Sequence, residues 1–172
     1  MKNRIIALFV PIVIGMSLVS ASCTAQPPQN ESKNPYYSHT DKSKLNVTDA
    51  QWKKILQPTT YHIMREQGTE SPESGPYVHN YKAGMYYCAA CGNPLFSSTT
   101  KFDSHTGWPS FFQALGPGSV SSEKDNSAGM ERDEIHCARC GGHLGHVFDD
   151  GPQPTGLRYC MDGYALIFEE KK

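Results

Sequence analysis

Four of the six cysteines in this 172-residue chain fall into two matched knuckles, Cys88-Ala89-Ala90-Cys91-Gly92 and Cys137-Ala138-Arg139-Cys140-Gly141. Two C-x-x-C-G turns supply four thiolates, the full complement of a tetrahedral Zn²⁺, and leave no open position for chemistry. One structural zinc ion held by Cys88, Cys91, Cys137 and Cys140 is therefore expected, contributing folding energy and not turnover. Disulfides are the alternative, one that an oxidising compartment favours. The glycine after each second cysteine suits a backbone that must turn with positive φ.

Two cysteines remain, Cys23 near the N-terminus and Cys160 deep in the chain. A lone cysteine is often only a small buried hydrophobe, but the neighbours of Cys160 suggest more. In Leu157-Arg158-Tyr159-Cys160-Met161-Asp162 a strand would set Arg158, Cys160 and Asp162 on one face and Tyr159 and Met161 on the other. Arg158 would then favour the thiolate, the nucleophilic form. Directly after the second knuckle, Gly142-His143-Leu144-Gly145-His146-Val147-Phe148 offers two histidines as acid and base, with metal ligation or ordinary hydrogen bonding as the plainer alternative. A third cluster, Phe102-Asp103-Ser104-His105-Thr106-Gly107-Trp108-Pro109-Ser110-Phe111, presents Trp108 on a turn between glycine and proline.

These residues need a scaffold, and the chain's patterning points to short antiparallel strands. Fifteen glycines and twelve prolines punctuate brief β-rich stretches such as Met85-Tyr86-Tyr87, Gly145-His146-Val147-Phe148 and Tyr164-Ala165-Leu166-Ile167-Phe168. Thr48 with Gln51 resembles a capping box, and Trp52, Ile55 and Leu56 share a face, so a short helix is expected near residues 49 to 56, halted by Pro58. The fold class expected is mainly β, with antiparallel sheets of zinc-ribbon-like type and a short N-terminal helix. The loop between the knuckles is far too long for a compact DNA-reading finger.

Residues 1–22 combine Lys2 and Arg4, an apolar run from Ile5 to Val19, and the small residues Ser20-Ala21-Ser22, which reads as a secretory leader. Cys23 follows as in a relaxed lipoprotein signal, so lipidation of Cys23 and simple cleavage with release both stand open. Residues 23–46 are rich in Gln, Pro, Asn, Ser and Lys and read as a flexible tether. One domain, residues 47–172, is expected to carry the function. The formal charge of −1 offers no field for nucleic acid.

The knuckles, Lys101-Phe102-Asp103-Ser104, Gly107-Trp108-Pro109-Ser110-Phe111, His143 through Pro152 and Gly156-Leu157-Arg158-Tyr159-Cys160 together resemble the B-type peptide-methionine (R)-S-oxide reductases, over about Leu45 to Phe168. The resemblance implies a β fold with a Cys₄ zinc remote from the chemistry and a nucleophile at Cys160. It implies Trp108 against the substrate's methyl group, with His143, His146, Phe148 and Arg158 lining the site. It further implies oxidised proteins or peptides as substrates and a thioredoxin-like or other thiol reductant; the leader-like residues 1–22 and Cys23 set that work outside the cytoplasm of a bacterium, in the periplasm or on a membrane through a lipidated Cys23. The chemistry is consistent with this: a sulfoxide sulfur is electrophilic, but its oxygen leaves only when protonated, so thiolate, acid and apolar cup are all needed.

Two positions depart from that family pattern. Thr106 stands where a resolving cysteine is often found, so an external thiol is expected to act on a Cys160 sulfenic acid. Asp162 stands where Asn is usual, and its charge would oppose thiolate formation at Cys160. Two other functions remain open: a surface-tethered zinc-ribbon interaction module, and a thiol-disulfide oxidoreductase whose C-x-x-C pairs cycle without metal.

Overall fold

The computed structural model describes residues 34–172, with the side chain of residue 128 excepted. The leader and Cys23 lie outside the described residues. Helix α1 (Asp49–Ile55) begins as expected at Thr48, whose hydroxyl accepts from the Gln51 N–H while the Gln51 side chain accepts from the Thr48 N–H. A second helix, α2 (Pro58–Glu66), was not anticipated. Pro58 opens it instead of ending a turn, because at the first helical position the missing N–H costs nothing and φ is already helical. Thr60, Ile63 and Met64 form its buried face, and Gln67 closes it in the left-handed conformation at φ 54°.

The remainder is antiparallel β structure, as the patterning predicts. One sheet has the order β2 (Pro94–Ser97), β1 (Gly84–Cys88), β9 (Leu166–Glu170). The other has six strands in the order β3 (Lys101–Phe102), β4 (Ser110–Phe111), β8 (Arg158–Met161), β7 (His143–Phe148), β6 (Arg132–Cys137), β5 (Val120–Asp125). Tyr164 and Ala165, expected in a strand, form a 3₁₀ turn over Gly163–Ala165 ahead of β9.

An aromatic layer joins the sheets. The Phe96 ring of β2 stacks on Phe111 of β4 at 4.4 Å, and Tyr86 of β1 meets Phe111 and Phe168, each at 4.9 Å. Tyr86, Phe96 and Phe111 are wholly buried, and each such ring stabilises the fold by roughly 2 kcal/mol. Tyr159 of β8 packs on Phe96 at 5.7 Å. Because side chains alternate across a strand, this core contact turns Cys160, the next residue, to the opposite face.

Residues 34–46, read from composition as part of a tether, lie against both knuckles. Ser38 N–H donates to Cys91 O at 2.9 Å, Leu45 N–H to Arg139 O at 2.8 Å, and the Asn34 amide to Ala90 O at 2.8 Å. Arg139, its side chain 2% exposed, donates to Tyr36 O and Cys91 O and pairs with the Asp41 carboxylate, each at 2.7 Å. A polar composition therefore conceals an ordered wrap held by backbone and arginine hydrogen bonds. Among the described residues no helix is long and apolar enough to cross a membrane.

Candidate active site

The two knuckles converge. Cys88 Sγ is 3.7 Å from Cys140 Sγ, Cys91 Sγ is 3.6 Å from Cys137 Sγ, and all four buried sulfurs lie within 4.8 Å of one another. A disulfide would hold its sulfurs about 2.05 Å apart. A tetrahedral ion with bonds of about 2.3 Å sets them about 3.8 Å apart, so the cage fits one metal ion and not disulfides. Each knuckle closes with a glycine N–H donating to the first cysteine's carbonyl, Gly92 to Cys88 and Gly141 to Cys137, both at 2.8 Å. Gly92 and Gly141 have φ of 74° and 68°, the positive values that the C-x-x-C-G pattern predicts.

On the far side of the six-stranded sheet, register decides which side chains meet. Cys160 lies opposite Ser110 of β4 on one flank and His146 of β7 on the other, and His146 lies opposite Glu134 of β6. Directly paired residues share a face, so Ser110, Cys160, His146 and Glu134 form one transverse row. Gly145 lets β7 approach β8: a Cβ there would sit 2.2 Å from Cys160 O. The result is a pocket of about 240 Å³ lined by Trp108, Phe148, His146, Arg132, Cys160 and Asp162, among others. Of the predicted site residues, Trp108, His146, Phe148, Cys160 and Asp162 all meet here. His143 lies beneath, 4% exposed, and Arg158 stacks on the Phe148 ring with its guanidinium carbon 4.3 Å from the centroid.

The electrostatics differ from the expectation in one respect. Arg158 donates to both oxygens of Asp150 at 2.7 Å, so much of its charge is answered there. Burial pushes the Cys160 thiol above its ordinary range, against the hydrogen bond from Thr106 and the charge of Arg158, while Asp162 adds to the rise. The Arg158 charge thus favours the thiolate without deciding the outcome, and the Asp162 charge opposes it. Strand β8 ends at Met161, so Asp162 sits beside Cys160 through the turn that follows and not by strand alternation.

The imidazoles stand in contrasting surroundings. His143 Nδ1 bonds Glu134 Oε1 at 2.5 Å, and its Nε2 faces Asp162 Oδ2 at 3.4 Å. Burial alone would lower the His143 pKa, but the two carboxylates outweigh it and the group is raised. His146 is lowered by burial, aided by Arg132 and His143, although its Nε2 bonds Asp125 Oδ2 at 2.9 Å. Opposite shifts in adjacent histidines separate a proton reserve from a neutral ring.

Sequence reasoning passed over three acids here, Asp125, Glu134 and Glu70. Glu134 and Asp125 reach the histidines through cross-strand register, and no local spacing encodes that. It also passed over the chain of hydroxyls beside the thiol: Thr106 Oγ1 lies 3.8 Å from Cys160 Sγ and 2.8 Å from Ser104 Oγ, which lies 2.7 Å from Ser110 Oγ. A cluster of three hydroxyls around Gly-Trp-Pro was the signal available.

A family model described as the SelR domain matches residues 56–170. The peptide methionine sulfoxide reductase MsrB of Agrobacterium fabrum is 56% identical over 126 residues, 73% of this chain and 93% of that protein. The protein of the same name from Leptospira interrogans is 54% identical over 127 residues, covering 74% and 97%.

The chain belongs to the MsrB family. It is therefore an oxidoreductase, and the zinc-ribbon-like Cys₄ cage and the Cys160 pocket are two sites of one MsrB domain. A third relative, from Methanosarcina mazei, is 49% identical over 130 residues, covering 76% of this chain and 93% of that MsrB.

Proposed function

We propose that this MsrB-family protein reduces the R epimer of peptide- or protein-bound methionine sulfoxide, with Cys160 as nucleophile, and that it repairs proteins outside the cytoplasm. The observation that carries the reading is the half-buried Cys160 thiol sharing one pocket with Trp108, Phe148, His146 and Asp162. Trp108 and Phe148 form an apolar wall for the thioether methyl. Cys160 attacks the sulfoxide sulfur as the S–O bond breaks, and the departing oxygen needs a proton. His143 supplies it, since it retains its proton to higher pH than an ordinary imidazole, and Asp162 Oδ2, 3.4 Å from its Nε2, steadies the ring. His146, neutral at lower pH, is the basic partner.

The protonated oxygen leaves as water and Sγ is joined to the substrate sulfur as a sulfonium; a water oxygen then attacks Sγ as that S–S bond breaks, releasing methionine and a proton and leaving Cys160 as a sulfenic acid. A first external thiol attacks that sulfur, expelling water and forming a mixed disulfide. A second thiol then attacks the mixed disulfide, returning the Cys160 thiol and leaving an oxidised disulfide reductant. A thioredoxin-like dithiol fits both steps. Thr106 provides no sulfur for an internal route, and the cage sulfurs are buried. The four-thiolate donor set suits zinc, which would be held by Cys88, Cys91, Cys137 and Cys140 and would organise the fold. The leader-like residues 1–22 and Cys23 support export, with a lipid tether as one form of it.

The test is turnover of separate R and S methionine sulfoxide peptides with dithiothreitol. Activity on R alone is expected, falling at least about a thousandfold in Cys160→Ser and persisting in Cys23→Ser. A folded, metal-loaded protein inactive on both epimers would overturn the reading.

A further inference from the structure

Glu70 lies in the segment after α2, in neither sheet, and is 8% exposed. It makes four polar contacts to three different parts of the pocket. Its carboxylate accepts from the Gly163 N–H at 2.8 Å and the Tyr164 N–H at 3.1 Å, clamping the turn that follows Cys160 and Asp162. Its own N–H donates to Asp162 Oδ1 at 3.0 Å, and its carbonyl accepts from the Trp108 indole N–H at 3.1 Å. The packing around the carboxylate is close: a Cβ on Gly75 would fall 2.0 Å from Glu70 Oε1 and one on Gly163 3.1 Å from it. Burying a carboxylate is unfavourable unless hydrogen bonds satisfy it. Burial pushes this group up to about 7 despite its two N–H donors, so a neutral side chain would be easier to accommodate if packing were all that mattered.

We infer that Glu70 is a positioning residue for substrate binding, its side-chain clamp on Gly163 and Tyr164 fixing the backbone groups that hold Trp108 and Asp162 in place. The inference rests on the reading of Trp108 as the wall for the substrate's methyl group. Trp108 is on the loop before β4 and Asp162 follows β8, so each is set by a different stretch of chain. Their separation across the pocket is set by the Met161 N–H to Pro109 O bond at 3.0 Å and by Glu70, which bonds Asp162 and Trp108 themselves. Loosening the clamp lets the Trp108 wall drift, which weakens substrate and transition state alike, while Asp162 keeps its own N–H bond to Leu144 O at 2.8 Å. The signature of such uniform loss is a raised KM with kcat nearly unchanged.

Glu70→Gln tests this directly. The amide keeps one acceptor for Gly163 but turns an N–H₂ toward the Tyr164 N–H. Against an R-sulfoxide peptide, KM is expected to rise roughly fivefold to tenfold, the loss of one well-made hydrogen bond, with kcat within about twofold. Glu70→Asp, which keeps the charge but shortens the reach, is expected to fall between. Trp108→Phe, which cuts the indole bond and keeps a ring, raises KM by itself. In that background Glu70→Gln adds little further, because the two changes break one linkage. A Glu70→Gln protein with unaltered KM, or with a fall in kcat alone, overturns the inference. If Glu70→Gln does not fold, an unaltered KM in Trp108→Phe overturns it instead. Absence of wild-type turnover in the same assay overturns the functional reading, and the inference with it.

Discussion

The molecule holds cysteine in two opposite environments. In the cage, four sulfurs are fully or almost fully buried, fixed by backbone hydrogen bonds within each knuckle, and face one another, with the Asn93 amide donating to Cys137 Sγ at 3.7 Å. In the pocket, one sulfur is half-buried, meets a hydroxyl and lies near an imidazole and a carboxylate. The first arrangement has every coordination position of a tetrahedral ion filled, so it can stabilise but not react. The second leaves the thiol an open side toward a substrate. Residue type alone does not distinguish the sites; neighbours and access do.

The sharpest way to break this comparison is to remove the metal. Structural Cys₄ ions contribute on the order of 10 kcal/mol to folding, comparable to the whole stability of a typical domain. A chelator-stripped protein, or Cys137→Ser, is expected to lose cooperative thermal unfolding followed by circular dichroism. Cys160→Ser is expected to keep its Tm within a few degrees while losing turnover. Retention of a normal melt after stripping would show that the cage is not the structural member of the pair.

Next in size is Arg139, which ties residues 34–46 to the cage. Arg139→Met leaves the buried Cys91 carbonyl without this donor and removes the bond to Tyr36 O, a loss of about 2 kcal/mol. Tm should fall by several degrees and the bound metal should pass faster to a chromophoric chelator, with KM and kcat unchanged. A fall in kcat at constant metal content would mean that the two ends are coupled.

What the chain announces in advance follows from how local each feature is. The knuckles are legible because four ligands and two glycines sit at fixed short spacings, and the helix at Thr48 because its cap is a four-residue pattern. The Cys160 pocket is legible in part: Trp108, His143, His146 and Phe148 stand in compact motifs. Glu134 and Asp125 are not, since they reach the histidines across β6 and β5 through register, bent by a bulge between Ile135 and His136. Helix α2 is missed because Pro58 signals both an end and a beginning. The wrap of residues 34–46 is missed because its order depends on a buried arginine about a hundred residues away.

Within the pocket, the hydroxyl chain should matter more to the thiol than the charges do. The Thr106 hydrogen bond works against burial at Cys160, so Thr106→Val, nearly the same shape, should move the thiol further up. Because the thiolate is the attacking form, turnover near neutral pH should fall roughly fivefold, the size of one hydrogen bond, and recover as pH is raised. An unshifted thiol titration, followed by the ultraviolet absorbance of the thiolate, would remove Thr106 from the site's electrostatics.

The smallest effect expected is at Asp162. Its charge raises the Cys160 pKa, behind burial, Thr106, Arg158 and Ser110 in weight. Asp162→Asn removes that charge while an amide oxygen can still accept from the Glu70 N–H. The sign is then fixed: the thiol titrates at lower pH, and the acidic limb of the rate profile moves down with it. The same change takes a carboxylate from His143, whose pKa Asp162 helps to raise, so the alkaline limb should also move down. A narrow downward shift of the whole profile, with maximal turnover altered by no more than about threefold, is the expected outcome. If only the alkaline limb moves, Asp162 serves the imidazole and not the thiol; if neither moves, the pocket's acid–base pair lies elsewhere.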